Sequence, residues 1–126
     1  MQDEPTPTEL IKAVADFLRN ELAPAIGGHS AFKLRVAINA LDLVTRQLAL
    51  EGESDAAEAE RLSQLLGRQG SLEELNRVLA RRIAGGEADL QTPGLAEHLW
   101  QTTMDKLAVD QPNYAAYRRE QERKRS

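Results

Sequence analysis

Residues 32–50 read FKLRVAINALDLVTRQLAL, and this stretch decides the fold class. Its apolar side chains recur every three or four residues, which predicts an α-helix. The main stripe consists of Leu34, Ala37, Ile38, Leu41, Val44 and Leu48. Val36, Ala40 and Leu43 widen the apolar surface towards the other side. Because a helix this apolar around its circumference usually lies at the centre of a bundle, we expect a central helix here, closed by Gly52.

Four further segments carry helix signals. TPTE at 6–9 and SLEE at 71–74 are capping boxes, which predict the starts of a first and a fourth helix. An acid-rich third helix should end at Gly67, and Thr92-Pro93 should open a fifth. The side chains expected to face inwards on these four helices are Leu10, Val14, Phe17, Leu18, Leu22, Leu62, Leu65, Leu66, Leu72, Leu75, Leu79, Ile83, Leu95, Leu99, Trp100, Thr103 and Leu107.

The short spacing between these segments predicts an all-α protein, an up-down bundle of about five helices. The bundle should occupy residues 1–114 as one domain, followed by a charged, basic C-terminal tail over 115–126 that lacks an apolar stripe. The tail carries five basic and two acidic residues, so a net charge of -4 for the chain leaves -7 on residues 1–114. A body of that sign is not expected to bind nucleic acid.

The composition also bears on the compartment. The chain has 126 residues and no cysteine, which fits a reducing environment and excludes disulfides and thiolate metal sites. No apolar run approaches the roughly 20 residues that cross a bilayer. The acidic N-terminus lacks the plan of a secretory signal. We therefore expect a cytoplasmic protein without a membrane segment.

A search for catalytic chemistry gives no candidate. The serines do not occur in a nucleophile motif, and the stretch 67–70 lacks the Lys-Ser/Thr of a phosphate loop. His29 and His98 lack metal-ligand spacing, and His98 is expected at a partly exposed helix position. Glu73 and Glu74 are adjacent on a helix, so their carboxylates diverge. We expect no enzyme activity of its own, no metal and no cofactor.

One constellation on the central helix is less ordinary. Arg35, Asn39, Asp42 and Arg46 recur at i, i+4, i+7 and i+11, so they form a narrow polar stripe on an otherwise apolar helix. The stripe is either an exposed edge, with Asp42 and Arg46 as an ion pair, or a polar seam that faces a partner or an anionic ligand. Both interpretations remain open at this point.

A second basic set closes the fourth helix. Arg77, Arg81 and Arg82 suit a helix C-terminus, where cations are stabilised. Arg81 and Arg82 could alternatively bind an acyl-CoA in a pocket between helices. The segment 61–83 also has the layout of a helix-turn-helix, but the first turn of its second helix carries Glu73 and Glu74, which phosphates would repel.

Three stretches resemble a bacterial family of small helical domains of uncharacterised function. They are FKLRVAINAL at 32–41, LNRVLARRI at 75–83, and DKLAV at 105–109 with Pro112 and Tyr114. Such domains accompany kinases that resemble aminoglycoside phosphotransferases, together with acyl-CoA dehydrogenases. One branch is similar to the accessory subunit of a 4-hydroxyacyl-CoA kinase.

The resemblance implies a non-catalytic accessory subunit that binds and stabilises or activates a phosphotransferase-like kinase in acyl-CoA and hydroxy-acid catabolism. It supports Arg35, Asn39, Asn76, Arg82, Asp105 and Lys106 as candidate binding positions. The alternatives are a helical module that binds an acyl-CoA and a helix-turn-helix DNA-binding regulator. A homo-oligomer is a further expectation, because an apolar helix edge often pairs with its symmetric copy.

Overall fold

The computed structural model describes residues 4–125, which form five α-helices and no strand. The helices are α1 (Pro7–Phe17), α2 (Gly28–Leu66), α3 (Leu72–Ala84), α4 (Leu95–Asp110) and α5 (Ala115–Arg125). A π-helical turn, Leu18–Leu22, and a 3-10 turn, Ala23–Ala25, follow α1. The prediction of an all-α protein is confirmed, and α5 shows that the charged tail is helical up to Arg125.

Both predicted N-caps are formed. The backbone N–H of Glu9 donates to Oγ1 of Thr6 across 3.2 Å, and the Thr6 hydroxyl donates to the Glu9 carboxylate. At the start of α3, the N–H of Glu74 donates to Oγ of Ser71 across 3.1 Å. Each cap satisfies a backbone donor that has no partner within its helix, which fixes where α1 and α3 begin.

The second and third predicted helices are one helix. α2 has 39 residues and runs through Gly52, so the prediction that Gly52 closes a helix is wrong. A glycine ends a helix when it adopts positive φ, and Gly52 does not do so, whereas Gly67 has φ +67° directly after α2. No helix within residues 4–125, α2 included, combines the length and apolar character needed to cross a membrane.

The described residues fall into two compact units, 4–50 (unit 1) and 51–125 (unit 2), and α2 contributes to both. Unit 2 contains a continuous hydrophobic core from the end of α2, α3, the following loop and the start of α4. Its members are Leu62, Leu66, Leu75, Val78, Leu79, Ala88 and Leu95. Leu65 and Leu72 pack against it. The expected domain boundary at residue 114 stays a prediction.

Unit 1 buries far fewer side chains than unit 2. Within its described residues, the buried side chains are Ala15 and Ile38. The expectation that residues 32–50 form a covered central helix is therefore wrong, as is the inward placement of most of the α1 stripe. The apolar pattern predicted helices correctly but did not predict that much of it stays in contact with water.

The register of α4 also differs from the prediction. The helix begins at Leu95, with Gly94 at the N-cap and φ +86°, two residues beyond the predicted start at Pro93. Thr92 belongs to the preceding turn, where its Oγ1 accepts the N–H of Asp89 across 3.0 Å. Leu99 and Trp100 were expected to face inwards but are 39% and 51% exposed, and His98 takes the buried position beside them.

Candidate functional site

Unit 1 presents apolar side chains to solvent on both of its α-helical segments. The set consists of Leu10, Val14 and Phe17 on α1 and Phe32, Val36, Val44 and Leu48 on α2, each between 40 and 55% exposed. We call these seven residues the apolar face of unit 1. Each of them is large, and burying such a side chain fully is worth about 1.5–3 kcal/mol. The face is therefore a costly surface to leave in water.

The spacing along each helix shows that the apolar face is ordered. Leu10, Val14 and Phe17 are four and three residues apart, so they lie in one line along α1. On α2, Phe32 and Val36 are one turn apart, and so are Val44 and Leu48. Exposed apolar side chains that follow helical periodicity are typical of a surface that packs against another chain.

The polar stripe predicted on α2 divides into two pairs with different surroundings. Arg35 and Asn39 are exposed, whereas Asp42 and Arg46 are half-buried. Asp42 accepts a hydrogen bond from Nη2 of Arg19 across 2.6 Å, and this contact ties the turn after α1 to α2 within unit 1.

The same Arg19 contacts Asp16 across 3.1 Å, so Asp42 belongs to a small charged network. Of the four stripe residues, Arg35 and Asn39 are the pair whose exposure suits contact with a partner.

Two candidates that rested on the resemblance have internal hydrogen-bond partners. The Asn76 amide donates to Oε2 of Glu58 across 2.8 Å, which joins α3 to α2 within unit 2. Nη1 of Arg82 lies 3.5 Å from the carbonyl oxygen of Leu66, the last residue of α2. These contacts explain both residues through the packing of α3 against the end of α2.

A cavity of about 820 Å³ opens in unit 2 between α2 and α4. Its α2 wall consists of Glu53, Ser54, Ala57, Arg61, Gln64 and Leu65. Its other wall consists of Pro93, Gly94, Glu97, His98, Gln101 and Asp105. Of the residues predicted from the sequence, Asp105 lies in this cavity, while its neighbour Lys106 is exposed outside the lining.

Arg61 organises the inner part of this cavity. Its Nε donates to Nδ1 of His98 across 3.2 Å, and Nη2 lies 3.4 Å from Oγ1 of Thr102. Nη2 also lies 3.9 Å from Oδ2 of Asp105, an ion pair whose side chains are about three-tenths exposed. Asp105 additionally accepts a hydrogen bond from the Gln101 amide across 2.9 Å.

His98 is the buried polar residue of this cluster, at 3% exposure. Burial, followed by the neighbouring charge of Arg61, lowers the pKa of His98 below 6.5, and the Glu58 carboxylate opposes part of that shift. Because Nδ1 accepts from Arg61, the neutral ring carries its proton on Nε2. Nε2 has no hydrogen-bond partner among residues 4–125. Every fully buried polar side-chain atom in that range has a partner, so Nε2 is not fully buried and contacts solvent.

Sequence reasoning missed Arg61, Glu97 and His98 as members of a site. The signal was present in α4, where Leu95, His98, Thr102 and Asp105 recur at i, i+3, i+7 and i+10. That spacing defines one helix face, but three of its four members are polar. Hydrophobic periodicity gave greater weight to Leu99 and Trp100, which the structure leaves exposed.

The described residues contain no group of three His, Asp or Glu side chains arranged to hold a metal ion. Residues 24–114 match the model of a family described as a domain of unknown function, DUF6285. Neither a curated protein nor a solved structure matches the chain.

Proposed function

The chain belongs to the DUF6285 family, and on that premise we propose that it is a non-catalytic accessory subunit that binds a partner protein through the apolar face of unit 1. The observation that carries the proposal is the exposure of seven large apolar side chains at helical spacing on α1 and α2. A helix pair of this kind lacks a layer to pack against, and a partner would supply that layer.

The size of the apolar face supports this role. Its seven residues, each about half exposed, leave several hundred Å² in water, and each partner of a standard interface buries roughly 800 Å². The largest apolar patch of a typical monomer is about 300–600 Å². Two helices that each expose large apolar side chains at helical spacing are suited to association with another protein.

The charges of unit 1 are compatible with docking. Residues 4–50 contain five acidic and five basic side chains, so no net charge opposes the approach of another protein. Arg35 and Asn39 are exposed on α2, at angular positions next to Phe32 on a helical wheel. We expect this pair to form part of the polar rim that surrounds the apolar centre of an interface.

We propose a phosphotransferase-like kinase as the partner, on the basis of the sequence resemblance to domains that accompany such kinases. The accessory subunit would stabilise or activate the kinase, within the breakdown of hydroxy acids as acyl-CoA esters. A cytoplasmic location is part of the same proposal, and a chain without cysteine is suited to that reducing compartment.

The proposal is tested by co-expressing the chain with a phosphotransferase-like kinase encoded beside its gene. We expect one complex in size-exclusion chromatography and a higher kinase turnover than that of the kinase expressed alone. Two independent peaks with unchanged turnover would contradict the proposal. A chain that elutes as its own symmetric dimer, with no affinity for the kinase, would assign the apolar face to self-association instead.

The exposed polar pair can be tested in the same assay. We expect Arg35→Glu to weaken the complex if Arg35 forms part of the rim, because the substitution reverses a charge beside the apolar face. Arg68→Glu is the matched control, since Arg68 is exposed in unit 2 and undergoes the same change of charge. If both variants form as much complex with the kinase as the wild type does, the interface consists of apolar contacts without Arg35.

A further inference from the structure

The cavity of unit 2 has the features of a ligand site, and these do not depend on the docking role of unit 1. It is lined by a polar side chain that is almost fully buried, His98, whose Nδ1 accepts from Arg61 and whose Nε2 contacts solvent. Burying an imidazole is costly unless its polar atoms are satisfied. Arg61 satisfies Nδ1, and Nε2–H remains as a hydrogen-bond donor for a molecule in the cavity.

The charge of the lining excludes an anion as the preferred ligand. Arg61 is the cationic side chain of the lining, and its guanidinium already contacts His98, Thr102 and Asp105. Glu53 and Glu97 form no ion pair or hydrogen bond within residues 4–125. With His98 neutral, three carboxylates against one guanidinium leave two negative charges in excess.

The surroundings strengthen that potential. Residues 51–60 of α2 carry five acidic side chains and no basic one. Glu53 lines the cavity and Glu58 accepts a hydrogen bond from Asn76, which leaves three further carboxylates on this segment. Like charges along one wall add to the field in the cavity and attract a cation. Between the polar groups lie Ala57, Leu65 and Pro93, which offer an apolar contact to an aliphatic chain.

We propose that this cavity binds an ammonium or guanidinium group on an aliphatic arm that also carries an oxygen acceptor. The carboxylates of Glu53 and Glu97 attract the cation, the arm contacts Ala57 and Leu65, and the oxygen accepts the Nε2–H of His98. The group could come from a small amine or from an arginine or lysine side chain of another protein, and both sources share this chemistry.

Two matched probes separate the parts of the proposal. L-Argininamide has a guanidinium, an ammonium and a carbonyl oxygen, whereas agmatine has the same arm and charges without that oxygen. We expect argininamide to raise the melting temperature of the isolated chain and to change the fluorescence of Trp100, which precedes the lining residue Gln101 on α4. Agmatine should bind more weakly, and His98→Asn should remove the difference between the two probes.

Carboxylate variants locate the cation. Glu97→Gln should weaken the binding of argininamide three- to fivefold, which is the effect expected from removing a partly exposed charge pair. Glu51→Gln is the control, because it removes the same charge from an exposed position of α2 outside the lining, and it should leave the affinity within about twofold. Equal losses from both variants would show that argininamide responds only to the general field, and would overturn the site.

The source of the cation is distinguished by an acetylated, amidated Ala-Arg-Ala peptide. Binding of argininamide but not of the peptide would identify a small amine, and binding of the peptide but not of argininamide would identify a protein side chain. Glutarate, an aliphatic dicarboxylate of opposite charge, should not bind. A melting temperature unchanged by both argininamide and the peptide, or raised by glutarate, would overturn the proposal.

Discussion

The Nε–H of Arg61 donates to Nδ1 of His98 across 3.2 Å, joining α2 to α4 within unit 2. This hydrogen bond fixes the tautomer of a buried imidazole and keeps the guanidinium beside the Asp105 carboxylate. It therefore links the packing of unit 2 to the charge state of one side chain. That link makes the stability of the chain sensitive to pH.

Protonation of His98 should destabilise the fold. Burial and the Arg61 charge lower the pKa of His98 in the folded state, so the unfolded chain takes up a proton first as the pH falls below 6.5. The contribution of neutral His98 to the free energy of unfolding is complete above pH 6.5 and is lost below it. The free energy of unfolding should fall there by at most about 1.4 kcal/mol per pH unit.

The measurement is the free energy of unfolding in urea between pH 7.5 and about pH 5.5. His98→Asn offers an oxygen to Arg61 but does not titrate, so its stability should fall less steeply than that of the wild type. His29→Asn, at an exposed position in the first turn of α2, should retain the wild-type slope. Parallel slopes for His98→Asn and the wild type would contradict this account of the buried histidine.

The continuity of α2 gives a prediction about Gly52. A Cβ added there meets no atom within 4 Å, and the backbone is not in the left-handed conformation. Gly52→Ala should therefore stabilise the chain by about 0.5–1 kcal/mol, because alanine loses less backbone entropy in a helix. Gly67→Ala is the contrasting variant, since φ +67° strains an alanine by about 1–2 kcal/mol.

Thermal unfolding of the two variants checks this directly. If Gly52 closed a helix, as the sequence pattern predicted, both alanine variants would lose stability. A rise in melting temperature for Gly52→Ala together with a fall for Gly67→Ala is the result expected for a continuous α2.

These glycines show how far the sequence determines the fold. The N-caps at Thr6 and Ser71 were predicted correctly because a cap depends on residues three positions apart. Whether a glycine ends a helix depends on its φ, which is set by contacts from distant parts of the chain. The sequence pattern therefore treats Gly52 and Gly67 alike, whereas in the structure Gly67 has a positive φ and Gly52 does not.

The candidate site was less predictable than the helices. The resemblance pointed to Asp105 alone among the residues of the cluster. Arg61 and His98 lie 37 residues apart and meet only because α2 packs against α4, so the sequence did not predict their contact. Periodicity predicted that Trp100 is buried, since it treats an apolar residue as an inward-facing one. An exposed apolar side chain that packs against a partner protein gives the same pattern in the sequence as one that lies in a core.

The core of unit 2 should be the main source of its stability. Leu75 is fully buried among the side chains of that core, so Leu75→Ala should cost about 2–5 kcal/mol through lost contacts and a residual cavity. Leu90→Ala is the control, because Leu90 is 74% exposed, and it should change stability by less than about 0.5 kcal/mol. Chemical denaturation followed by circular dichroism measures both, and similar losses would contradict the assignment of the core.

The central claim is that the apolar face of unit 1 binds a partner kinase, and titration calorimetry at several temperatures tests it most directly. Apolar burial gives a negative heat-capacity change of binding. We predict such a change for the wild-type chain, with at least about tenfold weaker binding and a smaller heat-capacity change for the Phe32→Ser, Val36→Ser double variant. Leu90→Ser, in unit 2, should bind like the wild type. A double variant that binds the kinase with wild-type affinity and heat-capacity change would contradict the account.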